Sequence, residues 1–431
     1  MRKWLEELPT AALMLLLAYM SLEGAAWRGV MSMTIAPRSL WLVVIAAGAW
    51  QLWRAVRSNA WERTALDAVM PLWFGALLIA TLGNLAQLSR SGYGLWFAAL
   101  YAALWYTLHN LVSYGTGRLR AVDALLVSAI PPLVTALRQV GAVDRIAGSL
   151  ENPNILSAFL VLVLPLAVAR FLAPPPRLAQ GIGRALFGGY VLALCAAVYF
   201  TGSRGAWLGM LAAGGIGVWI AYGKRIRAVW VVVALVPLLV VTGALLITTR
   251  TNEPRLEIFR QATEYFRAQP LIGNGLFTTK YYQPLADRPG FVLLHIHAHN
   301  APLHIAAELG LVGLLALSAT TFVTARVGLI GCRQALGTER IIRAGSLAAL
   351  VGFGAHHMVD FAVITPIVSL TLIMVLISAL LPEQPTPRPA RWQATQTWLL
   401  AALWLVLLVI ALSNLAAVSE GLRWAVNRGT P

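Results

Sequence analysis

Four of the seven histidines lie within one short segment, HIHAHNAPLHIAAELG, which runs from His295 to Gly310. A neutral histidine can act as a general base near pH 7, because its ordinary pKa is about 6.5. If HIHAHN is extended, His295, His297 and His299 point to one side, which also raises the possibility of a metal site. Three histidines at alternate positions of one strand rarely enclose a tetrahedral ion, and no carboxylate stands beside them. We therefore expect a general base here and no metal ion.

The residues after the histidine cluster have the pattern of a helix start. Asn300 is a favoured N-cap residue, and Pro302 suits the first turn of a helix. The positive end of such a helix favours anions nearby. His304 and Glu308 are four residues apart, so they can simply pair with each other on one helical face.

Three arginines stand where an anionic substrate could bind. Arg204 lies in TGSRGAW between two apolar runs, and a charge at membrane depth usually faces a cavity or a partner. Arg255 and Arg260 lie in the polar segment 249–302, and the planar fork of arginine donors suits phosphate. For Arg204 the alternative is an interfacial loop arginine. For the other two the alternatives are contact with lipid headgroups or pairing with Glu253, Glu257 and Glu264.

A second polar cluster interrupts an apolar run at GAHHMVDF, residues 354–361. At helical spacing, His356 and Asp360 share one face near the end of a span. The pair is either a polar clamp between helices, which is the commoner outcome, or a support for a reaction site.

The composition indicates what must position these residues. The 431-residue chain is 59% hydrophobic and 12% charged, with a mean hydropathy of +0.72. Soluble domains carry about 25% charged residues, so the lipid bilayer is the main solvent of this chain. Repeated long apolar runs indicate an all-α, polytopic helical membrane protein. The net charge of +16 is spread over loops without a nucleic-acid-binding module, so no nucleic acid partner is expected.

We predict about 12–13 transmembrane helices from the apolar runs. Thirteen candidate spans cover residues 8–27, 39–56, 65–87, 92–113, 121–140, 155–173, 184–201, 205–222, 228–248, 303–325, 344–362, 364–382 and 397–418.

The distribution of positive charge orients these spans. With the N-terminus in the cytoplasm, 19 of the 33 Lys and Arg residues fall in cytoplasmic segments, 8 in the opposite short segments and 6 in the segment 249–302. Because cytoplasmic loops carry the excess of positive charge, this segment is predicted to be a long extracytoplasmic loop. The chain then divides into an N-terminal bundle (1–248), the loop (249–302) and a C-terminal bundle (303–431).

The long loop is predicted to be partly helical. PRLEIFRQATEYFRAQP has prolines near both ends, as a helix start and stop require. LIGNGLF then supplies a turn through its two glycines. The residues at helical spacing in the predicted helix are Leu256, Phe259, Ala262 and Phe266.

Three segments together resemble the O-antigen ligase and polymerase superfamily of bacterial membrane glycosyltransferases. They are TGSRGA after a span, PLIGNGLF in a long outer loop, and HAHNAPLHIAAELGLVG entering the next span. The resemblance covers roughly residues 150–380, and the pairing of the last two segments is its most specific part. A thirteenth span departs from the twelve that are usual in this superfamily.

The resemblance implies a metal-independent, inverting transferase without a cofactor, at the periplasmic or extracellular face of the cytoplasmic (inner) membrane. Its donor would be a glycan on undecaprenyl pyrophosphate, and its acceptor a hydroxyl of a lipid A core sugar or a similar glycolipid. By the same resemblance His299 is the catalytic base and Arg204 binds the donor pyrophosphate. Arg255, or else Arg260, is the second arginine. The supporting residues are His297, Asn300, Glu308, His356 and Asp360.

Other functions remain compatible with the sequence. A polymerase of O-antigen or exopolysaccharide and a protein O-oligosaccharyltransferase would use the same donor with another acceptor. A lipid or glycan transporter or flippase would line its path with intramembrane charges. Transporters often consist of two related halves, whereas here the polar residues gather on one side of the membrane, which favours an enzyme.

Overall fold

The structure, a computed structural model, describes residues 2–23, 38–57, 63–113, 117–222, 255–279, 297–382 and 395–409. Within these ranges all regular secondary structure is helical, and the only β-type pairing is an isolated bridge between Val140 and Val143. The predicted all-α fold class is confirmed.

The helices of the described ranges are named here in chain order. They are α1 (Arg2–Glu23), α2 (Arg38–Arg57), α3 (Met70–Gly83), α4 (Leu88–Leu111), α5 (Gly117–Ser128), α6 (Ile130–Leu137), α7 (Pro153–Leu172), α8 (Gly181–Phe200), α9 (Arg204–Tyr222), α10 (Arg255–Ala268), α11 (Ala301–Gln334), α12 (Gly337–His356), α13 (Pro366–Leu380) and α14 (Thr395–Val409).

Several of these helices can cross a membrane. In the described part of the chain, five helical segments are long and apolar enough to do so: α5 together with α6, then α7, α8, α9 and α11. Helices α2, α3, α13 and α14 are apolar over much of their length but shorter. The chain is therefore a multi-pass helical membrane protein. The predicted span 228–248 lies outside the described residues.

The predicted span 121–140 corresponds to the segment Gly117–Leu137, which is long and apolar enough to cross a membrane. This segment is broken between α5 and α6, because Pro131 and Pro132 at the start of α6 have no amide hydrogen for a continuous helix. The predicted span 344–362 begins earlier, at Gly337, and already ends at His356. This earlier end places Asp360 beyond the helix.

Helix α7 lies in the interior of the bundle, and its residues 155–167 are all buried. Helices α9 and α12 approach closely beside it: a Cβ built on Gly209 would lie 2.6 Å from the carbonyl oxygen of Gly352. Small residues at such a contact allow two backbones to approach each other in a membrane protein. The packing brings the first residue of α9, Arg204, to the same end of the bundle as the last residue of α12, His356.

Helix α11 is interrupted at Gly310, whose φ of 64° and ψ of −159° are not helical. The turn of the PLIGNG segment fills this interruption. The amide of Leu311 donates to the carbonyl of Pro270 (2.8 Å), and the amide of Gly275 donates to the carbonyl of Glu308 (3.0 Å). PLIGNG and AELG are thus the two halves of one hydrogen-bonded joint between α11 and the segment after α10.

The predicted loop helix is confirmed as α10, but its predicted apolar face is only partly correct. Ala262 is buried as predicted, together with Ile258 and Tyr265. Phe259 and Phe266 are only half-buried. Helix α10 packs against α11, and the carbonyl of Tyr265 accepts a hydrogen bond from Asn274 of the joint (2.7 Å). These contacts determine which face of α10 is buried.

The joint gives a first prediction, on stability. Gly273 has a φ of 73°, and a Cβ at this position would lie 2.3 Å from the carbonyl oxygen of Glu308. We expect Gly273→Ala to lower the free energy of unfolding by about 3 kcal/mol, since backbone atoms would clash and the left-handed conformation is strained. The thermal unfolding midpoint in detergent, followed by circular dichroism, measures the effect.

Gly214→Ala in α9 is the matched control, because a Cβ there would meet nothing within 4 Å. This substitution should leave the midpoint unchanged or raise it slightly, as alanine favours a helix over glycine. Equal midpoints for Gly273→Ala and the wild type would show that the joint does not constrain the fold.

Candidate active site

His299 and Asp360 lie side by side although they are 61 residues apart in the chain. The Nδ1 atom of His299 is 3.2 Å from Oδ1 of Asp360. The His299 side chain is 23% exposed and that of Asp360 7%. Donation from Nδ1 to the carboxylate leaves the lone pair of the imidazole on Nε2. A histidine oriented in this way has the form of a general base.

The chain around His299 is bent by local interactions. His299 itself has a left-handed φ of 47°, a strain that non-glycine residues show mainly where the surroundings impose it. Asn300 caps α11 as predicted, and its side-chain amide donates to the carbonyl of Met358 (2.8 Å). The amide of Ala301 donates to the carbonyl of His357 (2.8 Å). These bonds fasten the start of α11 to the turn that follows α12.

Asp360 is carried by that turn and not by a helix. The predicted shared helical face with His356 is wrong, because α12 ends at His356 and the chain then turns back. Burial alone raises the pKa of the Asp360 carboxyl, but the hydrogen bond from His299 and the electrostatic influence of His356 and His299 lower it well below its usual range. The carboxylate is therefore ionised at neutral pH and can accept the hydrogen bond from His299.

His297 packs against the same pair. Its ring lies 4.3 Å from that of His299 and 5.6 Å from that of Phe361, measured between ring centroids. His295 lies outside the described residues. Over the described ranges, no group of three or more His, Cys, Asp or Glu side chains is arranged to hold a metal ion.

Arg204 is the first residue of α9. The Ser203 hydroxyl before it accepts from the amide three residues on (3.4 Å), as an N-cap does. Arg145 holds the preceding turn by donating to the carbonyl of Thr201 (2.7 Å) and to the side chain of Asn154 (2.6 Å). Half-buried Arg204 therefore stands at the positive end of a helix, where an anion is favoured.

His356 lies between α7 and the first turn of α9. It is fully buried, and its Nε2 is 3.2 Å from the hydroxyl oxygen of Ser157 on α7. A Cβ built on Gly205 would lie 3.3 Å from Cδ2 of His356 and 3.0 Å from Cγ2 of Val359. The residue that follows Arg204 thus packs directly on the imidazole ring and on the turn after it.

The two loop arginines have different surroundings. Arg260 donates to Glu257 (2.8 and 2.5 Å) and to Glu264 (2.8 Å), and the hydrogen bond with Glu257 raises the pKa of Arg260. This is the glutamate pairing that the sequence left open as an alternative. Arg255, the first residue of α10, exerts its charge on His356. Of the two loop arginines, Arg255 is therefore the one that acts electrostatically on another candidate residue, His356.

Glu308 joins the loop to α11. Its carboxylate accepts from the amides of Phe277 (2.9 Å) and Thr279 (3.1 Å) and from the Thr279 hydroxyl (2.8 Å). The predicted pairing with His304 is present at 3.6 Å. Glu308 thus holds the segment after the LIGNG turn against α11.

An apolar cavity of about 340 Å³ adjoins the histidine cluster through Phe361, whose ring lies 4.3 Å from that of His304. Helices α4, α11 and α13 form most of its wall. Its lining includes Phe97, Tyr101, Phe277, Ile305, Phe361 and Leu372. A space with such walls suits hydrocarbon better than sugar or phosphate.

Part of the chain that carries these candidate residues matches a known protein family. Residues 189–318 match the family described as O-antigen ligase. This part of the chain is similar to the O-antigen ligase family. The resemblance inferred from the sequence is confirmed by this match, which extends from α8 into α11. No curated protein matches the chain.

The segment that matches the O-antigen ligase family contains Arg204, Arg255 and His299. Other residues of the candidate site lie outside this segment. Asp360 and His356 follow the matched segment, and Ser157 precedes it. The candidate site is therefore assembled from residues inside the matched segment and on both sides of it.

Two residues of this assembly did not emerge as candidates from the sequence. Ser157 is the one hydroxyl in the apolar run ILSAFLVLVL, and such an isolated polar residue is the signal that could have pointed to it. Arg145 lies in an ordinary polar loop and carries no comparable signal. Its role depends on Thr201 and Asn154, which only the fold brings to it.

Proposed function

We propose that the protein is an O-antigen ligase-like glycosyltransferase at the periplasmic face of the cytoplasmic membrane. It moves a glycan from undecaprenyl pyrophosphate to a hydroxyl of a lipid A core sugar or a similar glycolipid, without a metal ion or cofactor. The observation that carries the proposal is the contact of 3.2 Å between His299 Nδ1 and Asp360 Oδ1 near the start of α9, which carries Arg204.

His299 is the proposed general base. Its Nε2 takes the proton of the acceptor hydroxyl while the hydroxyl oxygen attacks the anomeric carbon of the donor sugar. The bond between that carbon and the pyrophosphate oxygen breaks, and the electron pair leaves with the pyrophosphate. Asp360 stabilises the imidazolium that forms on His299. A single displacement of this kind inverts the anomeric configuration.

Arg204 and Arg255 are the proposed ligands of the donor pyrophosphate, with Arg260 as the weaker candidate. A pyrophosphate leaving group needs compensation of its charge more than it needs a proton, and arginine forks supply such compensation. The positive end of α9 adds to the field at Arg204. The apolar cavity beside Phe361 offers room for hydrocarbon of a lipid substrate.

The test is release of undecaprenyl pyrophosphate by the purified protein in liposomes that hold a lipid-linked glycan and a glycolipid acceptor. We expect release to continue in excess chelator, and the transferred sugar to have the inverted anomeric configuration in NMR spectra of the product. Release that stops with chelator would contradict the metal-independent reaction, and a retained configuration would contradict the single displacement.

The products also separate the alternatives. Glycan on the acceptor glycolipid supports the ligase, a ladder of lipid-linked repeats indicates a polymerase, and a glycosylated protein indicates an oligosaccharyltransferase. Glycan that crosses the liposome membrane while the donor stays intact indicates a transporter.

A further inference from the structure

The hydrogen bonds around His356 determine which ring nitrogen carries a proton. The Ser157 hydroxyl donates its single hydrogen to the carbonyl of Asn154 (2.9 Å). Ser157 Oγ can then accept from His356 Nε2, which lies 3.2 Å away. The hydrogen is assigned to Nε2, because on Nδ1 it would be buried without an acceptor among the described residues. Nδ1 of His356 is buried and makes no hydrogen bond to any residue of the described ranges.

Packing alone does not explain a histidine at this position. The surrounding contacts between α7, α9 and α12 consist of small and apolar residues such as Val161, Gly209 and Gly352. A buried polar ring with one bare nitrogen is less favourable there than an apolar side chain that fills the same space. We therefore expect His356 to have a role other than stabilising the fold.

The position of His356, between the start of α9 and the turn that carries Asp360, indicates this role. Its ring is in contact with Gly205, the residue after Arg204. Four residues after it comes Asp360, whose carboxylate holds His299. Asp360 and Arg255 both act electrostatically on the ring. Val359 shares the contact with Gly205, but His356 also makes a side-chain hydrogen bond to α7, through Ser157.

We propose that His356 is a positioning residue for glycan transfer. Its hydrogen bond to Ser157 anchors the end of α12 to α7, and this sets the turn of Asp360 against the start of α9 at Arg204. The base and the donor-binding arginine are thereby held at the separation that one reaction step requires. The inference rests on the proposed function, since this separation matters only if both groups act on the same donor and acceptor.

Amide substitutions test the inference with a specific rescue. In His356→Gln the side-chain amide reaches the position of Nε2 and can donate to Ser157, whereas in His356→Asn it reaches only the position of Nδ1. We expect the kcat of His356→Gln to stay within about fivefold of the wild type. His356→Asn and His356→Leu should lose about 100-fold in kcat, as a misplacement of about 1 Å costs, with little change in KM for the donor.

Substitutions of Ser157, the hydrogen-bond partner of His356, and of a matched control residue complete the experiment. Ser157→Ala should lower kcat about as much as His356→Leu, and the double variant should be no worse than either, because both remove one interaction. Ser346→Ala is the control: this buried residue of α12 hydrogen-bonds Ser378 of α13 at 2.8 Å, away from the site. It should lower the unfolding midpoint while kcat stays within about twofold, as expected of a distant site.

Two results would contradict the positioning role of His356. Equal losses in His356→Gln and His356→Asn, with both variants folded by their unfolding midpoints, would overturn the positioning role. So would a loss of kcat in Ser346→Ala as large as that in Ser157→Ala. These results leave the proposed function standing, whereas a wild-type protein that releases no undecaprenyl pyrophosphate with any acceptor overturns both.

Discussion

Substitution of His299 by alanine is expected to reduce the rate of glycan transfer by about 10³-fold, within the range that general bases contribute. The acceptor hydroxyl is a poor nucleophile until its proton moves to Nε2, and Asp360 at 3.2 Å from Nδ1 stabilises the resulting imidazolium. The initial rate of undecaprenyl pyrophosphate release at saturating donor and acceptor measures the effect.

His297→Ala is the control for this prediction, because its ring lies only 4.3 Å from that of His299. We expect a loss of at most about tenfold, since His297 supports the pair by packing and a general base contributes far more. A large loss in His297→Ala with a nearly active His299→Ala would assign the base to His297.

Substitution of Arg204 by alanine is expected to reduce kcat/KM for the lipid-linked donor by about 10²–10³-fold, the usual effect of removing one group that stabilises a developing negative charge. Arg204→Lys should recover only part of this loss, because lysine keeps the charge but lacks the planar fork that binds two phosphate oxygens. Kinetics with varied donor concentration in detergent measure both parameters.

Exposed Arg267, on α10, provides the matched control. Arg267→Ala should stay within about twofold of the wild type, as surface substitutions do. Among the loop arginines, Arg255→Ala should cost more than Arg260→Ala, because Glu257 and Glu264 already engage the guanidinium of Arg260. Full activity in Arg204→Ala would make this residue an interfacial arginine without a role in binding the donor.

Much of the fold followed from the sequence because the bilayer imposes simple rules. Continuous apolar runs must form helices in lipid, so the all-α, multi-pass architecture was predictable. Local signals also sufficed for the Asn300 cap and for the ends of α10 near Pro254 and Pro270. These features depend on neighbours a few residues apart, which periodicity and capping rules describe.

The environment of the arginines was less predictable. The sequence left pairing with glutamates open for both Arg255 and Arg260. Only the structure shows that Arg260 is paired with Glu257 and Glu264 and that Arg255 acts electrostatically on His356. The joint of PLIGNG with AELG is a similar case. Each half was visible, but their backbone hydrogen bonds connect residues more than thirty positions apart, such as Asn274 and Ala307.

By itself, the sequence determined the membrane class, the superfamily resemblance and the residue types available for chemistry. Only the tertiary structure decided which of them meet: His299 with Asp360 at 3.2 Å, and His356 with Ser157 at 3.2 Å. The physical reason is that helical spacing predicts neighbours only while a helix continues. Because α12 ends at His356, the position of Asp360 is set by hydrogen bonds from the start of α11, which no local pattern encodes.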